Sequence, residues 1–291
     1  MEKTSPRNRK KAQHVSYAKI NLFLEVLGKL PDNYHEIETL LCSVSLYDTL
    51  KYALTKRQGI KLWSNLPELP AKSNLVFKVA QYLLDEFKPD QGVDIHLTKR
   101  IPLAAGLGGG SSNAAITLRA LNSLWNLQLS IAELELVSAR FGSDIPFFLH
   151  GGTAWATHKG ELVQPRPDVQ MELLLVNPNI GIASAEAYAL VPDASGSDRQ
   201  HLEQPIGHKW LFNRLEPGIR QAYPAVDRLL SYLHEAGADA AIMSGSGSTC
   251  FGVFEDAAKM QACKDFFDQV GYWTKIVRTV SRKEYQSEFE A

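Results

Sequence analysis

The feature that most constrains this chain lies at residues 93–121, where a short alternating segment, VDIHL, runs through KRIPLAAGLGGGSSNAA into apolar residues at helical spacing, Ala114, Leu118 and Leu121. A strand, a glycine-rich loop and a helix therefore follow one another directly. Four glycines within the five positions 106–110 cost stability in any regular element, so such a run suits a place where the backbone must come close to something. Consecutive amide N–H groups at a helix start, backed by the positive end of the helix dipole, form an anion site, and Ser111 and Ser112 add hydroxyl donors. The loop is read as a phosphate cradle. It is not a Walker A loop, because no Lys follows the last glycine, and Ser111 occupies the third glycine position of the dinucleotide fingerprint. A protein-kinase loop would enter a strand rather than a helix.

Upstream, Ala18, Ile20, Leu22, Leu24 and Val26 alternate as in a strand, which places Lys19 and Asn21 side by side on its other face. A turn at 28–33 leads into a second β segment at about 37–48. Ser73 or Asn74 caps a helix bearing Leu75, Val76, Val79, Leu83 and Phe87. Ser130 and Glu133 form a capping box ahead of Leu134, Val137 and Phe141, and Gly142 ends that helix. Asp144 then stands at the rim of the apolar segment IPFFL, where a carboxylate serves as a local cap or as a reacting group. After about residue 165 the pattern restarts with ELLLVNP, a polar loop PDASGSDRQ, and a helix carrying Val226, Leu229, Leu230 and Leu233. Two short apolar segments flank SGSGST at 244–249, which fits a plain hairpin turn or a second anion nest. A helix with Met260, Cys263 and Phe267 and a strand at about 272–280 complete an α+β pattern in two domains.

Charge and composition narrow the function. Lys and Arg number 31 against 32 Asp and Glu, so no overall field attracts nucleic acid or an anionic membrane, and an anionic ligand has to be held locally. Residues 1–14 read as a disordered basic tail too short for a transit peptide. No apolar run reaches the 18 or so residues of a membrane helix, and Cys42, Cys250 and Cys263 read as buried thiols, which together point to the cytoplasm.

The segments YAKINLFLEVLGKLPDNYHEIETL, PLAAGLGGGSSNAA, SDIPFFLHGGTAWATHKGE and MSGSGSTCFGVF, in this order, resemble the superfamily of galactokinase, homoserine kinase, mevalonate kinase and phosphomevalonate kinase. The resemblance spans residues 15 to about 255. It implies an N-terminal domain (15–165) of ribosomal-protein-S5-like fold that holds ATP, a ferredoxin-like C-terminal domain (166–291), and an active site between them. Lys19 and Asp144 would be catalytic: Asp144 takes or orients the proton of the attacking hydroxyl, and Lys19 keeps it ionised. Asn74, Lys99, Pro102, Leu103, Ala104, Ala105, Gly106, Leu107, Gly108, Gly109, Gly110, Ser111 and Ser112 would line the nucleotide site. Mg²⁺ would accompany ATP, with no metal-ligating residue assigned. AKINLFL with the following YHE points, within the superfamily, to a cytidine diphosphate-linked polyol on the way to isoprenoid precursors. Tyr34 and Tyr188 would then sandwich the cytosine while His35 bonds its edge, and Asn21 would contact the acceptor. The competing expectations are a kinase for homoserine, mevalonate or a sugar, and a nucleotide-binding protein without catalysis. Neither nucleic acid nor a membrane is an expected partner, and nothing indicates the oligomeric state.

Overall fold

A computed structural model describes residues 11–66, 70–191 and 211–289. In chain order its elements are β1 (Lys11–Lys29), β2 (His35–Thr55), β3 (Ile60–Ser64), α1 (Leu75–Phe87), β4 (Gly92–Thr98), α2 (Gly109–Leu124), α3 (Ile131–Ser138), α4 (Ile145–His150), β5 (Thr153–His158), β6 (Leu162–Arg166), β7 (Glu172–Asn177), α5 (Ser184–Ala189), β8 (Phe212–Asn213), α6 (Glu216–Ala222), α7 (Pro224–Glu235), β9 (Ala240–Met243), β10 (Cys250–Val253), α8 (Ala257–Gln269), β11 (Trp273–Arg278) and α9 (Arg282–Ser287). They form two compact units that interleave along the chain. The first takes the described residues up to Ser16 with Tyr47–Arg100 and Gly110–Leu149; the second takes Tyr17–Leu46, Ile101–Gly109 and the described residues from His150 onward.

In the first unit β4 runs antiparallel to β2, with Thr98 opposite Thr49, and β3 runs parallel to β4, with Ile60 opposite Val93. Asn74 caps α1, its Oδ1 accepting from the Val76 amide at 2.9 Å, and Val76, Val79, Ala80 and Leu83 are buried at helical spacing. Phe87, expected on that face, is exposed because α1 ends there, with Lys88 in the left-handed region. The capping box at Ser130 and Glu133 closes in both directions. Helix α3 stops at Ser138, so Phe141 lies beyond it and meets the Tyr82 ring edge-on at 5.7 Å.

The second unit contains an antiparallel run β2–β5–β6, a short parallel pairing of β1 with β8, and an antiparallel sheet in the order β11-β7-β10-β9. Strand β7 explains its unbroken apolar sequence. Leu173 and Leu175 join Ala18, Ile20 and Phe251 in one cluster, while Leu174 and Val176 join Leu229, Leu233, Met260 and Phe267 in another, so both faces are buried. SGSGST joins β9 to β10, with Met243 opposite Cys250, and so takes the hairpin form.

Three expectations need correction or restriction. Lys11–His14 belong to β1 rather than to a tail, because strand pairing uses backbone groups that polar residues also carry; residues 1–10 lie outside the described residues. A cut near 165 does not follow the compact units, since Tyr17–Leu46 and Ile101–Gly109 group with the C-terminal half. The polar loop PDASGSDRQ lies outside the described residues. All three cysteines are buried, and burial pushes the Cys42 thiol up to about 12 and Cys263 to about 11. Among the described residues no helix is long and apolar enough to cross a membrane.

Candidate active site

The glycine loop is held by its carbonyl oxygens. The Ile182 amide donates to Ala104 O at 3.1 Å, the Thr249 amide to Ala105 O at 3.3 Å, Ser244 Oγ to Gly106 O at 3.1 Å, and the Lys19 amide to Leu107 O at 3.0 Å. In a trans peptide the C=O and N–H point in opposite directions, so these four bonds turn the amides of Ala105, Gly106, Leu107 and Gly108 away from the groups that hold the loop. Positive φ at alternate positions, Ala104 (46°), Gly106 (75°) and Gly108 (65°), gives the alternating backbone of an anion nest. Between them, Ala105 and Leu107 are buried in the cluster that contains Ile20 and Phe251. Helix α2 begins at Gly109, so its first free amides continue the run.

Lys19 and Asn21 share a face of β1 as the alternation predicts, and Lys19 Nζ donates to Asn21 Oδ1 at 2.6 Å. Both are buried, whereas a polar strand face is ordinarily solvated. The β9–β10 hairpin covers them: the Asn21 amide donates to Ser244 Oγ at 3.3 Å, and a Cβ on Gly245 would stand 2.9 Å from Lys19 Nζ. Asn21 Nδ2 donates to Thr39 Oγ1 at 2.8 Å, and Thr39 in turn donates to Phe23 O at 2.6 Å, which fixes which way the Asn21 amide faces. Asn213 Nδ2 holds the hairpin through Met243 O and Gly245 O, both at 2.8 Å. Thr39, Ser244, Gly245 and Asn213 are not among the site residues read from the sequence, where SGSGST signals Ser244 and Gly245 and Thr39 lies within the segment that ends YHEIETL.

In the first unit Asp144 is half-buried directly ahead of α4, whose Ile145, Pro146, Phe147, Phe148 and Leu149 are all buried. Lys99 is also buried, with Nζ bonded to Asp48 Oδ2 at 2.5 Å and to Asn113 Oδ1 at 3.2 Å, so its ammonium is engaged inside the unit. Ser112, expected to offer its hydroxyl to a phosphate, is wholly buried and shares a 2.7 Å hydrogen bond with Ser16 Oγ. It points inward because it lies a full turn after Gly109, on the inner face of α2. Asn74 uses its Oδ1 as the α1 cap. Ser111 and Pro102 are half-buried, while Gly110 and Leu103 are exposed.

Of the cytidine candidates, His35 and Tyr188 come together, their rings stacked with centroids 5.0 Å apart and planes at 19°. Tyr34 is 60% exposed, with Lys159 Nζ 4.8 Å from its ring centroid and Lys159 paired with Asp32. Tyr188 thus meets the imidazole itself, which differs from the expected sandwich of two tyrosines around one base. Burial, with Lys29 second, holds His35 below the usual imidazole range, favouring the neutral ring.

Two family models match this chain, that of the GHMP kinases N terminal domain over residues 74–152 and that of the GHMP kinases C terminal over residues 192–272. The chain belongs to the GHMP kinases. Among curated relatives, a 4-diphosphocytidyl-2-C-methyl-D-erythritol kinase of Geobacillus kaustophilus is 40% identical over 269 residues, covering 87% of this chain and 93% of the relative. One of the same name from Thermoanaerobacter pseudethanolicus is 36% identical and covers 94% of this chain and 98% of its own. A crystal structure of 4-(cytidine 5'-diphospho)-2C-methyl-D-erythritol kinase superposes with a TM-score of 0.77 at 28% identity, covering 91% of this chain and 98% of that one. Homoserine kinase from Cytophaga hutchinsonii, at 18% identity and a TM-score of 0.73 over 97% of each chain, shares the fold. The N-terminal match takes in the glycine loop and Asp144 of this GHMP kinase; Lys19 and Asn21 precede it.

Proposed function

We propose that this GHMP kinase transfers the γ-phosphoryl group of ATP to the 2-hydroxyl of 4-diphosphocytidyl-2-C-methyl-D-erythritol, in the non-mevalonate route to isoprenoids, and that it does so in the cytoplasm. The observation that carries the nucleotide half is the set of four inward carbonyls at residues 104–107, with the amides of 105–108 directed the other way. Phosphoryl transfer asks chiefly for positioning and for stabilisation of charge on the transferred group. Backbone amides supply both at fixed positions. The relatives' shared name, together with the His35–Tyr188 stack, supports the cytidylated acceptor.

The acceptor hydroxyl is tertiary and a poor nucleophile, so alignment dominates. Asp144, placed directly ahead of α4, accepts its proton as the bond to the γ-phosphorus forms. Lys19, with Asn21 setting the position of its Nζ, stabilises the negative charge of the transferring group. Mg²⁺ accompanies the nucleotide and neutralises its phosphates when bound. Among the described residues there is no group of three or more His, Cys, Asp or Glu that could hold a metal ion.

Coupled ADP release, measured on cytidylated and free polyols, homoserine, mevalonate and galactose, tests the proposal. Turnover of the cytidylated polyol alone, with CDP competing against it, is the expected outcome. Equal turnover of a substrate without cytidine, and no competition by CDP, would refute it.

A further inference from the structure

The chain enters the glycine loop at Lys99 and Arg100 and leaves it through Ser112 and Asn113, and one buried carboxylate joins the two sides. Asp48 Oδ2 accepts from Lys99 Nζ at 2.5 Å and from Asn113 Nδ2 at 2.9 Å, while Oδ1 accepts from the Arg100 amide at 2.7 Å. The network extends on the outgoing side: Asn113 Nδ2 also reaches Ser16 Oγ at 2.8 Å, and Ser16 Oγ bonds Ser112 Oγ at 2.7 Å. Asp48, Ser16 and Ser112 are fully buried, and Lys99 and Asn113 nearly so.

We propose that Asp48 is a positioning residue for ATP, closing the neck of the phosphate loop so that its amides and those opening α2 keep one geometry before the nucleotide arrives. This rests on the reading of the loop as a phosphate cradle. Glycines 108 to 110 have no side chains with which to anchor themselves, so the helix side of the loop takes its position from the first side chains after them. Of these, Ser112 and Asn113, which follow Ser111, are held by the Asp48 network. A buried ion pair contributes little net stability, because desolvation offsets the attraction, but it can specify geometry. Fixing both ends of a 12-residue span also removes loop freedom that the nucleotide would otherwise have to suppress on binding.

Steady-state kinetics on Asp48→Asn and Ser16→Ala, with both substrates varied, tests this. Asp48→Asn keeps the shape and the acceptor for the Arg100 amide but removes the charge that holds Lys99. The KM for ATP should rise at least 10-fold while kcat stays within threefold and the KM for the cytidylated polyol within twofold. Ser16→Ala should raise the ATP KM about threefold at a near wild-type melting temperature, and it carries the test if Asp48→Asn does not fold. An ATP KM within twofold of wild type in the folded variants, or parallel losses in both KM values and kcat, would overturn the proposal. Absence of ATP turnover by the wild-type protein would overturn the phosphate-cradle reading itself, and the role of Asp48 with it.

Discussion

Gly106 is where the structure makes its sharpest demand on a single atom. Its φ of 75° lies in the left-handed region, and an added Cβ would stand 2.0 Å from Ser244 O and 2.9 Å from the Gly247 amide nitrogen, both backbone atoms that cannot swing aside. The left-handed conformation costs a non-glycine residue about 1–2 kcal/mol. Overpacking against backbone adds roughly 1–3 kcal/mol. Gly106→Ala should therefore lose about 2–5 kcal/mol, which at roughly 2–4 °C per kcal/mol for a chain of this size lowers the melting temperature by about 4–20 °C. Gly110 provides the contrast. A Cβ there meets nothing closer than Leu75 Cδ1 at 3.8 Å, and alanine gains up to about 1 kcal/mol of helix propensity. Gly110→Ala should melt at or slightly above the wild-type temperature, yet show an ATP KM at least 10-fold higher, because a methyl group then stands among the amides meant for phosphate. Differential scanning calorimetry and ATP-dependent kinetics on the pair separate the two demands. Wild-type melting of Gly106→Ala, or wild-type ATP affinity in Gly110→Ala, would refute the reasoning at that position.

Asp144→Asn should lower kcat at least 100-fold with both KM values within about threefold, as expected for loss of a positioned base, and initial-rate kinetics checks it. Ser244→Ala leaves Gly106 O and the Asn21 amide without their shared partner, so it should cost about 1–3 kcal/mol by chemical denaturation and weaken ATP binding in calorimetry. His35, held below the ordinary imidazole value by burial, binds fewer protons folded than unfolded. Its charging therefore disfavours the fold and the neutral stacked ring as pH falls from about 6.5 through the lower folded value. The KM for the cytidylated polyol should accordingly rise as the pH falls below the ordinary imidazole value and be flat above it, and His35→Asn should remove that dependence.

What the sequence displays and what it conceals divide by range. The pairing of Lys19 with Asn21, the Asn74 cap, the capping box at Ser130 and the passage of the glycine loop into α2 depend on spacings of a few residues, and each is present. The groups that make the loop usable come from far along the chain. Ser244 lies 138 residues from Gly106, and Asp48 lies 51 from Lys99, distances over which alternation and caps carry no information. SGSGST is visible as a motif, but whether it binds an anion or supports another loop depends on what packs beneath it. Ser112 shows the same limit, since its inward direction follows from the packing of α2 and not from its place after a glycine. The interleaved units arise because β1 and β2 each contribute to both, which no composition shift near residue 165 could reveal.

A crystal of this GHMP kinase soaked with a non-hydrolysable ATP analogue tests the central claim most directly. The β- and γ-phosphate oxygens should lie about 2.7–3.2 Å from the amides of Ala105, Gly106, Leu107 and Gly108. A nucleotide bound elsewhere, with those four amides facing solvent, would contradict it.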